Sequence, residues 1–320
     1  MRQPERGYEA HLILLVFGLC LGLTTSPASA AENNFHIWAV YAYDDNISRS
    51  LMRGEQESDH SLRLEGTANW RLPAGPNASA DFGVMAAGER RFDFHDLSQL
   101  ELGGRAGWRW RPIQGFSAPM YNFDVDLTGH AHKDSKIRDG GTLRATVGAQ
   151  SRLTERLSIR GGYRFTMRRA RSSNVFDNER HGLFAASELI LDPAVVLSAS
   201  VAWERGDVVA NSTPTAPVIA AATALVVDDA FGPSRLAGQM GPGPGPGPGP
   251  DPGPGPGPNG GERVAYRLDA DVWRFEVGTR IRLGLRTTLD LSSSYLKVDA
   301  RGSNLDYDGM QVIASLGYAL

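Results

Sequence analysis

Apolar residues recur at every second position through most of this chain. The clearest run is Leu100 to Arg111, LELGGRAGWRWR, in which Leu100, Leu102, Gly104, Ala106, Trp108 and Trp110 fall on one parity. Glu101, Gly103, Arg105, Gly107, Arg109 and Arg111 fall on the other. Successive side chains of a strand point to opposite faces, so the run predicts a ribbon with one apolar and one charged face. Period-2 alternation marks twelve such strands. The first six are Phe35–Asp44, Ser61–Leu72, Ser79–Arg91, Gln99–Arg111, Met120–Lys133 and Thr142–Leu153. The remaining six are Leu157–Arg169, Arg180–Leu191, Val195–Arg205, Val264–Leu283, Thr287–Asp299 and Gly309–Leu320. The tenth is long enough for its first part to belong to a loop hairpin. Almost nothing between the strands reads as a covering helix, so the layer over the apolar faces is expected to be lipid.

The connections test this independently. After even strands they are short, as in Pro73–Ala78, Thr154–Arg156, Asp192-Pro193 and Gly284–Arg286. After odd strands they are mostly longer and more polar, as in Asp45–His60, Asp134–Gly141, Ala170–Glu179 and Gly206–Arg263. Membrane barrels of the bacterial outer membrane have an even strand count, short periplasmic turns and long external loops. A soluble sandwich or propeller has no reason to sort its loops this way. The predicted fold is all-β: a closed antiparallel up-and-down transmembrane barrel of about twelve strands.

The first thirty residues add an address. Two arginines in Met1–Arg6 precede the apolar run Leu12–Leu23, and Ser26-Pro27-Ala28-Ser29-Ala30 supplies an A-x-A cleavage site. This predicts a secretory signal peptide over residues 1–30 and a barrel over 31–320. Read as a transmembrane anchor, the apolar run is too short to cross a bilayer. Cys20, the one cysteine, lies inside it, with bulky Leu19 where a lipoprotein signal has a small residue. The remainder therefore has no thiolate for a metal site, a disulfide or a nucleophile. A formal net charge of −3 gives no bulk attraction to nucleic acid.

The apolar parity runs on through Tyr121, Phe123, Val125 and Leu127, then Leu157, Ile159, Gly161, Tyr163 and Phe165, and finally Met310, Val312, Ala314, Leu316, Tyr318 and Leu320. Trp108, Trp110, Tyr121, Phe123, Tyr163 and Phe165 are the candidates for an interfacial aromatic girdle. On the signal peptide, the alternating strands and the alternating C-terminal strand, the chain resembles a Gram-negative outer-membrane β-barrel, porin-like but of no functionally defined family. The resemblance implies export through the periplasm, residence in outer-membrane lipid, and assembly by the barrel-assembly machinery. Members of that class commonly end in Phe, whereas this chain ends Tyr318-Ala319-Leu320.

One connection stands apart. Residues 206–263 hold an apolar run, Val218–Val227, and an alternating Gly-Pro tract, Gly241–Pro258, interrupted by Asp251. Period two is not the collagen period of three, and proline can join neither helix nor ladder. The tract is expected to be a solvated spacer reaching on the order of 55 Å, or a tolerated low-complexity insertion. The apolar run is either a loop element over the pore mouth or a constriction within it.

Candidate chemistry is confined to the inward parity. Arg105, Arg109, Arg111, Arg144, Arg152, Arg160, Arg164, Arg168, Arg274, Arg280 and Arg282 are predicted to face the lumen, with Asp124, Asp126 and Glu276 as lumen acids. Acids are at hand for Arg105, Arg109 and Arg144, but strands six and seven carry no inward acid between them. Arg152, Arg160, Arg164 and Arg168 are therefore expected to be under-compensated, a pattern that favours small anionic solutes and opposes cations. Twelve strands leave room for a small pore or a plugged lumen. The leading expectation is a passive, anion-leaning channel, and the alternative is a plugged barrel used as a surface scaffold or receptor. A rim hydrolase would draw on His95, Asp96, Asp177, Glu179 and His181, which match no catalytic motif. His130 and His132 share a face but lack a specified third metal ligand and are expected to be a solvated pair at the outer rim. Tyr43-Asp44-Asp45-Asn46 reads as turn chemistry rather than a calcium site. No cofactor is expected.

Overall fold

A computed structural model describes residues 32–50, 53–231 and 263–320. The strands are β1 (Glu32–Asp44), β2 (Asp59–Pro73), β3 (Ala78–Arg91), β4 (Gln99–Trp110), β5 (Met120–His132), β6 (Gly140–Arg152) and β7 (Leu157–Ala170). They continue as β8 (Asn178–Asp192), β9 (Val195–Ser212), β10 (Ala224–Val227), β11 (Val264–Arg282), β12 (Thr287–Ala300) and β13 (Tyr307–Ala319). Every neighbouring pair is antiparallel, β1 closes on β13, and β9 bonds directly to β11. The ring therefore has twelve strands, with β10 attached outside it. Closure leaves no free edge in the ring, which is the condition for spanning a bilayer with strands. This is the architecture of an outer-membrane β-barrel.

The two faces separate as the alternation predicts. Pairing Arg105 with Asp126 and Trp108 with Phe123 keeps charged residues on one side of the wall and aromatics on the other. Leu102, Leu127, Trp108, Trp110, Tyr121, Phe123 and Tyr163 are all exposed, Leu102 by 67%. Phe165 lies on the same outward face, half-buried. Charged side chains on the other face reach across an intervening strand: Arg63 of β2 meets Glu101 of β4 at 2.8 Å. Such reach needs the concave side of a curved wall. That side is the lumen.

The ring ends short of its longest strands. β8 leaves β9 at Gly206, and β12 leaves β11 at Ala270, yet Gly206–Ser212 goes on pairing with Val264–Ala270. This two-stranded ribbon stands beyond the long-loop end of the barrel, and β10 widens it by pairing with Val264–Arg267. Gly206 sits at the departure point with φ +140°, a conformation that any side chain would strain. Sequence reading ends strand nine at Arg205, whereas Gly206 is a bend through which the strand continues to Ser212. Likewise the connection read as 206–263 is a connection only from Thr213 onward. The segments read as a signal peptide and as the Gly-Pro spacer lie outside the described residues.

Candidate functional site in the lumen and its roof

The long-loop end is roofed. The ribbon's inward face (Val208, Ala210, Val264, Tyr266, Leu268, Ala270) joins Val218, Leu305 and Tyr307 in one buried cluster. Its other face carries Ala265 and Val209, which pack with Val175 and Phe176 of the β7–β8 loop. The apolar run at 218–227 resolves here: it forms a short helix, α1 (Ala216–Ala221), and β10, so it belongs to the cover and not to a constriction. Val218 of α1 is fully buried.

Polar contacts draw the other loops under this cover. Ser48 O of the β1–β2 loop accepts from Asn211 N at 3.0 Å and Asn211 Nδ2 at 2.9 Å. Thr213 N donates to Glu55 Oε2 at 3.1 Å, and Arg263 pairs with Glu57 at 2.8 Å. Phe231 packs on Leu97, Phe94 and Ile47. Arg138 of the β5–β6 loop is 6% exposed, and its guanidinium meets Asp228 at 2.6 Å and Asp229 at 3.0 Å. Phe176 and Phe231 lie over it, with ring centroids 4.6 and 5.8 Å away. A buried guanidinium is tolerable only when paired and fully hydrogen-bonded, and here two carboxylates, a hydroxyl and two ring faces supply that shell.

Below the roof, the wall is charged in two different ways. From β2 to β5 the charges neutralise one another. Arg105 meets Asp124 at 2.7 Å and Asp126 at 3.6 Å, Arg109 meets Asp81 at 3.0 Å, and Arg71 shares Asp81 at 2.8 Å. From β6 to β11 the balance fails. Arg144, Arg152, Arg160, Arg274 and Arg282 face inward by register. None of these five has a carboxylate at ion-pair distance among the described residues, and all are exposed. Arg144 stands opposite Asp126 in register without pairing to it, so the acid that sequence assigns to it serves Arg105 instead. Glu276 is likewise exposed and without a basic partner among the described residues.

Four other predicted positions are corrected in detail. Arg164 and Arg168 are less bare than the sequence suggests. Arg164 reaches Glu204 of β9 at 3.7 Å, across β8, and Arg168 donates to the Arg138 carbonyl at 2.7 Å. Arg280 is paired, to Asp290 at 2.8 Å. Arg111 falls past the end of β4, at the short-turn rim, where it joins Arg71 and Arg109 around a cavity of about 340 Å³.

Sequence reasoning misses several inward groups. Arg63, Arg180, Glu204 and Asp290 follow the same alternation and were open to discovery by it, while Glu101, already on the charged parity, proves to be the partner of Arg63. Trp38 was not, because both parities of β1 are mostly apolar. Its ring lies against Gly317, where a Cβ would stand 2.4 Å from it, and it lines a lumenal cavity of about 280 Å³ with Arg280 and Asp290.

The other chemical candidates disperse. His95 Nδ1 contacts the Arg91 carbonyl at 2.7 Å, Asp177 accepts from Ala170 N at 2.7 Å, and His181 packs beside Tyr163 on the outward face. No nucleophile, base and acid converge on one another among them. His130 and His132 are not a solvated pair: His130 Nε2 contacts Thr142 Oγ1 at 3.0 Å, and His132 is 7% exposed. Asn46 N donates to Asp44 Oδ1 at 3.0 Å, which is turn chemistry.

No protein-family model matches the chain, and no curated protein does. Solved structures do resemble it. The translocator domain of the autotransporter NalP from Neisseria meningitidis is 12% identical, covering 97% of this chain and 96% of that one at a TM-score of 0.40. The KdgM porin, solved with disordered oligogalacturonate, is 8% identical over 89% of this chain and 99% of its own at 0.41. The NanC porin is 6% identical over 89% and 100% at 0.44. The fold stands on the strand register and the two faces of the wall rather than on these likenesses.

Proposed function

We propose that this chain is a passive, anion-leaning channel for small solutes in a Gram-negative outer membrane, its apolar belt set against lipid. One observation carries the reading. Arg144, Arg152, Arg160, Arg274 and Arg282 face the lumen exposed and, among the described residues, unpaired by acid. A charged group left without a partner stays charged only in contact with water, so these side chains argue for a wet interior. Their surplus gives that interior a positive potential, which attracts anions and repels cations.

Single-channel recording of the refolded chain in planar bilayers tests this. The expected result is a current that rises when the roof is released by Arg138→Ala, with a reversal potential toward chloride in a KCl gradient. No current in either form, or preference for potassium, would overturn it.

The roof favours a second reading, a barrel closed at its outer end and used as a surface platform. If Arg138→Ala frees the roof by hydrogen exchange while the bilayer stays silent, this reading replaces the first.

A further inference from the structure

Arg164 of β7 and Arg180 of β8 converge on Glu204 of β9, and Arg274 of β11 stands nearby by register without pairing to it. Arg180 lies 3.3 Å from one carboxylate oxygen and Arg164 lies 3.7 Å from the other. Neither distance reaches the 2.7 Å of the well-made Arg105–Asp124 pair on the opposite wall. Register sets Glu204 opposite Val272, with Arg274 two residues further along β11. Glu204 is the acid that acts on Arg274 there, while Arg144, Arg160 and Arg180 crowd Arg164 with like charge. Gly182 faces Arg164 on one side and Glu204 on the other, so the long side chain crosses β8 unobstructed. Phe184 supports the Arg164 guanidinium from 5.1 Å.

The donors outnumber the acceptors. Each guanidinium offers about five N–H groups and a carboxylate about four lone pairs, so a single acid cannot satisfy three arginines. The Nε atoms of Arg164 and Arg180 are both closed off from solvent and, among the described residues, without an acceptor. Three positive charges facing one negative charge leave room for two more negative charges. We infer that this cluster is a binding site for a small dianionic oxyanion of the phosphate-monoester type, held by guanidinium forks in the upper lumen. The inference rests on the channel reading for its access route, but its test is separable from that reading.

The experiment uses the full refolded chain in two formats, with inorganic phosphate at pH 8 as ligand. In planar bilayers, phosphate lowers the chloride current in a saturable way. In detergent, equilibrium dialysis measures phosphate binding without any need for conduction. Loss of a charged hydrogen-bonding partner predicts that Arg180→Ala weakens binding by about tenfold or more in both formats. Arg180→Lys, which keeps the charge but loses the fork, falls between. Glu204→Gln removes the internal competitor and tightens binding. Arg71→Ala, on the far wall, leaves the half-saturating concentration within about twofold, as independent sites do. Chloride current with no phosphate effect and no binding by dialysis overturns the site and leaves the channel standing. Binding by dialysis without current overturns the channel and leaves the site. Equal losses from Arg71→Ala and Arg180→Ala would reduce the cluster to a diffuse field and also overturn it.

Discussion

The same side chain lives by opposite rules in the roof and in the wall. Arg138 is buried, and two carboxylates, the Ser135 hydroxyl and two aromatic rings surround it. Arg144, Arg152 and Arg160 are exposed, and no acid attends them among the described residues. Burial raises the cost of a bare charge so steeply that a roof guanidinium must bring its own counter-ions. Water in a lumen removes that demand. The pairing of an arginine therefore reports its solvent: Arg138 marks a packed layer, and the bare arginines mark an aqueous one.

The largest break in this comparison comes from the roof. Arg138→Ala strands Asp228, which is 1% exposed, and removing one partner of a buried pair costs about 3–5 kcal/mol. That loss is local. Amide exchange should quicken across residues 213–231 while the ring strands stay protected. Asp228→Asn, which keeps the shape and one hydrogen bond, should open the roof less. If exchange rose equally in β4 and β5, the roof would not be a separate layer.

A third environment is created by placing a guanidinium on the outward face. Leu127 is 60% exposed midway along β5, on the apolar parity. Arginine at the bilayer midplane of a barrel costs about 2–4 kcal/mol, so Leu127→Arg should lower folding stability in lipid vesicles by that amount. The same substitution at Thr128, one residue on and facing the lumen, should cost far less. Equal costs would mean that the two faces have been assigned wrongly.

How much of this was legible in the sequence follows the same division. In the ring, one face of each strand is apolar and the other wet, so alternation locates the strands and sorts Trp108 from Arg109. In the ribbon both faces are covered by loops, and alternation vanishes: Val208-Val209-Ala210 and Val264-Ala265-Tyr266 are apolar at every position. Covered on both sides, a strand no longer advertises its period. Charges were readable as inward but not as partnered. Pairing Arg164 with Glu204 requires crossing β8, and pairing Arg109 with Asp81 requires choosing β3 over β5; parity alone decides neither.

In the wall the expected effects move from stability to selectivity. Replacing Arg144, Arg152 and Arg160 together by Gln removes three exposed, unpaired charges, and such surface changes stay within about 0.5 kcal/mol. The reversal potential in a KCl gradient should nevertheless move well toward zero, because these residues supply three of the five lumenal arginines unpaired among the described residues. A preserved chloride preference would transfer the selectivity to Arg164, Arg180 and Arg274.

The smallest effect is expected from the neutralised wall, and it is the most demanding test of the comparison. Arg105 and Asp124 cancel each other at 2.7 Å. Arg105→Gln with Asp124→Asn removes both charges at once, and a cross-strand ion pair contributes only about 0.2–1 kcal/mol. Net lumen charge is unchanged, so the reversal potential should not move. Arg105→Gln alone leaves Asp124 and Asp126 uncompensated and should shift it toward potassium, whereas Asp124→Asn alone should shift it toward chloride. If the double variant lost anion preference as the triple one does, ion selectivity would depend on the presence of arginine wherever it stands, and the pairing seen from β2 to β5 would have no bearing on what the lumen admits.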